Sequence, residues 1–85
     1  MSNLEKAKER LRQLPKDYTY NEARQLLNKL GFEERNQGKT SGSRVGFYRS
    51  ADDAAILLHK PHPSNEMSAG AVKSLAQFLS ARGDL

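Results

Sequence analysis

Two histidines, His59 and His62, stand either side of Lys60 in a stretch that also holds Pro61 and Pro63. Histidine gains and loses protons near neutral pH, so the pair could supply a general acid and a general base beside a fixed positive charge. Upstream, residues 35–49 carry Arg35, Lys39, Arg44 and Arg49 and no acidic residue. That local excess matches the net charge of the whole chain, +4 from 14 Lys and Arg against 10 Asp and Glu. A polyanion is therefore the expected partner. Arginine can grip a phosphate bidentately, but it stays protonated and cannot act as a base. The chain has no cysteine, which excludes disulfides, thiolate nucleophiles and cysteine-ligated metal centres. Two histidines are too few for a zinc site, which wants at least three protein ligands, so neither a metal nor a cofactor is expected. Gly38, Gly42 and Ser43 lack the strand-to-helix setting of a phosphate-binding loop and read as a flexible hairpin. Each of these residues also has a structural use. His59 could be a polar strand terminus, His62 could hold its loop by a backbone hydrogen bond, and the cations could be solvated strand edges.

The elements that must position these groups follow from periodicity. Eighty-five residues, 36% hydrophobic and 28% charged, allow one domain with a small core. Ser2 and Glu5 form a capping-box pattern ahead of a stripe of Leu4, Ala7, Leu11 and Leu14, and Pro15 closes that helix. Thr19 and Glu22 repeat the pattern before Ala23, Leu26, Leu27 and Leu30, with Gly31 as the left-handed cap. Residues 32–36 suggest a short strand. Residues 44–49 alternate, with Val45 and Phe47 on one side and Arg44 and Tyr48 on the other, as a half-buried strand does. Residues 51–53 turn the chain into the apolar run 54–58, a third strand by its length. Ser68 caps a last helix with Val72, Leu75, Ala76 and Leu79 on one face, and Gly83 stops it.

The fold expected is α+β, a small three-stranded antiparallel sheet with helices on one face. Residues 1–16 read as a helical extension to a domain spanning 17–85. The other sheet face, bearing Arg44 and Tyr48, is left open. No apolar run is long enough for a signal peptide or a membrane span, so a cytoplasmic location is expected.

Residues 18–79 resemble the HicA family of toxin–antitoxin systems. The likeness rests on Asn21-Glu22-Ala23-Arg24-Gln25-Leu26-Leu27 leading into Leu30-Gly31-Phe32, on Gly42-Ser43 opening a strand, and on His62-Pro63 ahead of a capped helix holding Lys73-Ser74-Leu75. The resemblance implies an α-β-β-β-α fold like a double-stranded-RNA-binding domain and a metal-independent ribonuclease that cleaves mRNA. It also implies silencing by an acidic HicB-type antitoxin. The family places its catalytic histidine directly after the Gly-Ser pair, and this chain has Arg44 there. Nucleolytic chemistry would then fall to His62, which matches the family's loop histidine, and to His59, with Arg44 as phosphate clamp. Arg35, Lys39, Ser43, Tyr48, Arg49, Lys60 and Lys73 complete the expected RNA-binding set. A non-cleaving module of the same fold, binding RNA or an antitoxin, is the alternative. A dimerisation module built on the first leucine stripe is a third reading, although two heptads are short for a coiled coil.

Overall fold

A computed structural model describes residues 3–35, 44–60 and 65–85. Its elements are α1 (Asn3–Arg12), α2 (Tyr20–Lys29), β1 (Glu33–Arg35), β2 (Arg44–Arg49), β3 (Ala54–His59) and α3 (Ala69–Ala81). The order and the three-stranded antiparallel sheet agree with the α+β arrangement expected from the sequence. Among the described residues, no helix is long and apolar enough to cross a membrane.

Local chemistry sets the helix ends. The Thr19 hydroxyl accepts the Glu22 N–H at 3.1 Å while the Glu22 carboxylate accepts the Thr19 N–H at 3.2 Å. Two backbone donors that α2 leaves unpaired are thereby satisfied. At its other end Gly31 adopts φ 95°, and the N–H groups of Phe32 and Gly31 bond back to Leu27 and Asn28 at 2.9 and 3.1 Å. This paired closure needs a left-handed residue, which glycine adopts without a Cβ clash. Gly83, at φ 80°, closes α3 the same way, with Asp84 and Gly83 donating to Leu79 and Ser80 at 2.9 and 3.1 Å.

The strands lie in the order β1-β2-β3. β2 pairs with β3 from Arg44↔His59 to Arg49↔Ala54, and with β1 at Glu33↔Tyr48, Glu34↔Phe47 and Arg35↔Gly46. Period-two alternation sends Val45, Phe47, Leu58 and Ala54 inward, where Phe47 and Ala54 are buried with Leu26, Leu27, Val72, Leu75 and Leu79 in one core. The opposite face presents Glu33 and Arg35 from β1, Arg44, Gly46 and Tyr48 from β2, and Ala55, Leu57 and His59 from β3.

The first helix is shorter than its leucine spacing suggests. Leu11 is fully buried, and Leu4 and Ala7 pack at the edge of the core, whereas Leu14 lies beyond the helix at φ 51° and is exposed. Proline disfavours helical geometry in the residue before it, so Pro15 forces Leu14 out of the stripe. Arg10 fastens α1 to α2, its guanidinium meeting the Glu22 and Asp17 carboxylates at 3.3 and 3.1 Å above the Tyr18 ring. Deleting residues 1–15 is expected to lower the melting temperature through loss of roughly 2–4 kcal/mol of apolar burial, while leaving the open sheet face intact. Thermal unfolding of the truncated chain checks this.

Tyr18 and Met67 are buried from segments without helical or strand periodicity, and Tyr20 is buried from the first turn of α2. They meet because the Met67 N–H donates to the Tyr18 carbonyl and the Tyr20 N–H to the Asn65 carbonyl, both at 2.8 Å. Burial raises both phenols, with nearby Glu34 adding to the effect at Tyr20, which reaches about 12. A phenol with a raised folded pKa holds its proton more tightly when folded. Its contribution is complete below the unfolded value near ~10 and is lost as pH rises through about 12. Stability is therefore expected to fall on the alkaline side of pH 10. Tyr20→Phe should flatten part of that fall in a pH series of denaturation midpoints.

Candidate nucleic-acid interface

Register creates the site. Arg44 opens β2, His59 ends β3, and the two are directly opposed, both exposed at the same end of the sheet. Side chains opposed in this way have Cβ atoms about 5 Å apart. A cation able to bind phosphate in two places thus sits beside a group able to carry a proton. Lys60 follows His59 and is also exposed.

One row further along both strands lie Arg35, Gly46 and Leu57, and the next row holds Glu33, Tyr48 and Ala55. The Arg35 guanidinium lies 4.7 Å from the Tyr48 ring centroid and 3.6 Å from the Glu33 carboxylate. The Tyr48 hydroxyl donates to Asp53 at 2.7 Å, and that bond holds the phenol above its usual range. Asp53 can accept it because it sits in the β2–β3 turn at φ 55°, a conformation Asp tolerates better than most residues.

Arg49, expected among the polyanion contacts, lies on the inward side. Nε and Nη2 reach the Asp52 carboxylate at 2.9 and 2.7 Å, Nη1 and Nη2 reach Asp84 at 3.0 and 2.8 Å, and Nη1 also donates to the Leu30 carbonyl at 3.0 Å. These bonds occupy all five N–H donors of a guanidinium, which also lies 4.5 Å from the Phe32 ring centroid. The hydrogen bonds it donates to Asp52, and then to Asp84, raise its pKa further. With its side chain only 14% exposed, Arg49 is a structural clasp and has no donor left for phosphate. Lys73 is exposed on α3, where it borders a surface hollow with Arg12, Leu14 and Gln77; the structure does not bring it to the open sheet face. Lys39, Ser43 and His62 lie outside the described residues. Among the described residues, no cluster of three or more His, Cys, Asp or Glu side chains is placed to hold a metal ion.

Two features escaped the sequence reading. The direct opposition of His59 and Arg44 depends on register, for which the sequence carries no local signal. The inward position of Arg49 was available from alternation, since it shares parity with Val45 and Phe47.

Helices over one face of a three-stranded antiparallel sheet, with Arg35 and Arg44 on the opposite face, make a small α+β domain. Residues 20–79 match the family model for the HicA toxin of bacterial toxin–antitoxin systems, and the chain belongs to that family. It is therefore the toxin of such a system, and an antitoxin is its partner. No curated protein and no solved structure matches the chain.

Proposed function

We propose that the protein is a metal-independent endoribonuclease that cleaves mRNA and so inhibits translation. The observation that supports this best is the cross-strand pair of Arg44 and His59 on the open face. In this reading neutral His59 takes the proton of a ribose 2′-hydroxyl, and the oxygen so freed attacks the adjacent phosphorus. Arg44 binds the non-bridging oxygens, whose negative charge grows in the transition state. The bond to the 5′-oxygen then breaks, and a proton from an acid neutralises that leaving group. The resemblance gives this second role to His62. Products are a 2′,3′-cyclic phosphate and a 5′-hydroxyl. The residues assigned to catalysis are thus His59, His62 and Arg44. Arg35, Lys39, Ser43, Tyr48 and Lys60 are assigned to the RNA strand, and the catalytic domain is taken as residues 17–85, with 1–16 as a helical brace.

The partner proposed is an acidic antitoxin of HicB type that covers this basic face, since opposite charge both steers and selects such a partner. A second reading has a specific motive: arginine occupies the position where the family keeps its histidine, so the chain could bind RNA without cutting it. Incubating the purified protein with RNA in excess chelator separates the two. The nuclease reading expects fragments ending in 5′-hydroxyl and 2′,3′-cyclic phosphate, and intact RNA that stays bound would favour the binder.

Either way, RNA affinity is expected to fall with salt. Arg35, Lys39, Arg44 and Lys60 give a slope of log affinity against log salt on the order of −2 to −3 for a single strand. Arg49 is left out of that sum because its donors are internally engaged. A salt titration by fluorescence anisotropy checks the slope.

A further inference from the structure

The central strand contributes no side chain to the middle of the open face, because Gly46 stands there between Arg35 of β1 and Leu57 of β3. The result is an open groove of about 610 Å³ bordered by Arg35, Gly46, Tyr48, Ala55 and Leu57. Its walls are chemically unlike. On one side the Arg35 guanidinium is stacked on Tyr48, itself tethered to Asp53, and the Arg35 side chain remains 56% exposed. On the other, Leu57 turns an apolar side chain to solvent at 57% exposure.

We propose that this groove is a nucleobase subsite, in which one unstacked base of the bound RNA lies against Arg35 and Leu57 above Gly46. The inference rests on the RNA reading above and adds how the strand is held. Bases of single strands stack on aromatic rings and on guanidinium planes, and a guanidinium already seated on a tethered ring is ordered before the base arrives. The apolar wall suits the flat face of a base, and the cations Arg44 and Lys60, together at the adjoining end of the sheet, suit the phosphate next to it. The carboxylates of an acidic protein surface would satisfy the cations but not the apolar wall of Leu57, whereas a base can fill the gap over Gly46 and meet Arg35 and Leu57 together. Spacing agrees as well. The Arg44–His59 row lies two residues away along both strands, about 7 Å, so base and phosphate of one nucleotide can occupy adjacent rows. The subsite selects unpaired RNA, since a base within a duplex presents no free face.

Two octamers of equal charge test this: a 2′-O-methyl oligouridine, which cannot be cleaved, and the same sugar–phosphate chain without bases. The parent is expected to bind the base-bearing octamer about tenfold or more tightly than the abasic one. Leu57→Ser, at an exposed position, should bring that ratio close to one with abasic binding unchanged, and Arg35→Lys, which keeps the charge but loses the plane, should also lower the ratio. Melting curves of both variants confirm that they are folded. Equal affinity of the parent for both octamers, as a groove reserved for a protein partner would give, overturns the subsite and leaves the phosphate clamp standing. A ratio unmoved by both substitutions also overturns it. Binding of neither octamer overturns the RNA reading and the subsite with it.

Discussion

Replacing His59 with alanine is expected to slow RNA cleavage by about 10²–10⁴-fold, the usual contribution of a positioned acid or base, with RNA affinity close to the parent's. A neutral imidazole carries no formal charge to lose. His62→Ala should give the same signature if the loop histidine is the second proton carrier. Arg44→Ala should behave differently, lowering affinity and rate together, because a bidentate clamp acts on the bound phosphate before and during bond breaking. Arg44→Lys should recover part of the affinity but less of the rate, since an ammonium is a point charge without the fork. Equilibrium binding to uncleavable RNA alongside single-turnover cleavage separates these patterns. Each partner on the sheet can be tested this way because both are exposed, and neither substitution opens a cavity.

Arg49→Ala is expected to cost stability on the order of 2–3 kcal/mol, from five hydrogen bonds lost and two carboxylates left without their cation. In a domain of this size that is a fall of about 10–20 °C in Tm. The clasp joins the α2–β1 turn, the β2–β3 turn and the segment after α3, through Leu30, Asp52 and Asp84. Arg49→Lys should rescue little, because one ammonium cannot serve three acceptor groups in that geometry. Asp52 adds a pH dependence. Its hydrogen bond to Arg49 holds its pKa below the usual carboxylate value, so its contribution is present above the unfolded-state value and disappears as pH falls through the folded one. The acid limb of the stability curve should therefore shift in Asp52→Asn. RNA affinity of any Arg49 variant that remains folded should match the parent's, which distinguishes a clasp from a phosphate contact.

The contrast between Arg44 and Arg49 shows what could be read from the chain alone. Helix ends were legible because their chemistry is local: Thr19 with Glu22, Ser68, Gly31 and Gly83 each act within a few residues. The alternation of β2 was legible for the same reason, and it correctly left Arg44 and Tyr48 on the open face. Arg49 was misassigned because a count of charges ignores parity, and because its partner Asp84 lies 35 positions away. That partner is in place only because Gly83 turns the chain at the end of α3. Leu14 fitted the spacing of a stripe and was removed from it by the proline that follows. Tyr18 and Met67 enter the core from segments with no period to detect. The pairing of Arg44 with His59 required the register itself, which the turn at residues 50–53 and the inward set Val45, Phe47, Leu58 and Ala54 fix together. Neither determines register without the other.

Growth arrest alone would not distinguish a nuclease from a binder that blocks translation, so the decisive measurement is of RNA ends. It consists of sequencing the 5′ ends of cellular RNA before and after induction of the parent chain and of a His59→Ala, Arg44→Ala double variant. New 5′-hydroxyl ends within messenger RNA are expected for the parent and none for the double variant produced at the same level. New ends generated equally by both proteins, or arrest of growth by the parent with no new ends, would contradict that expectation.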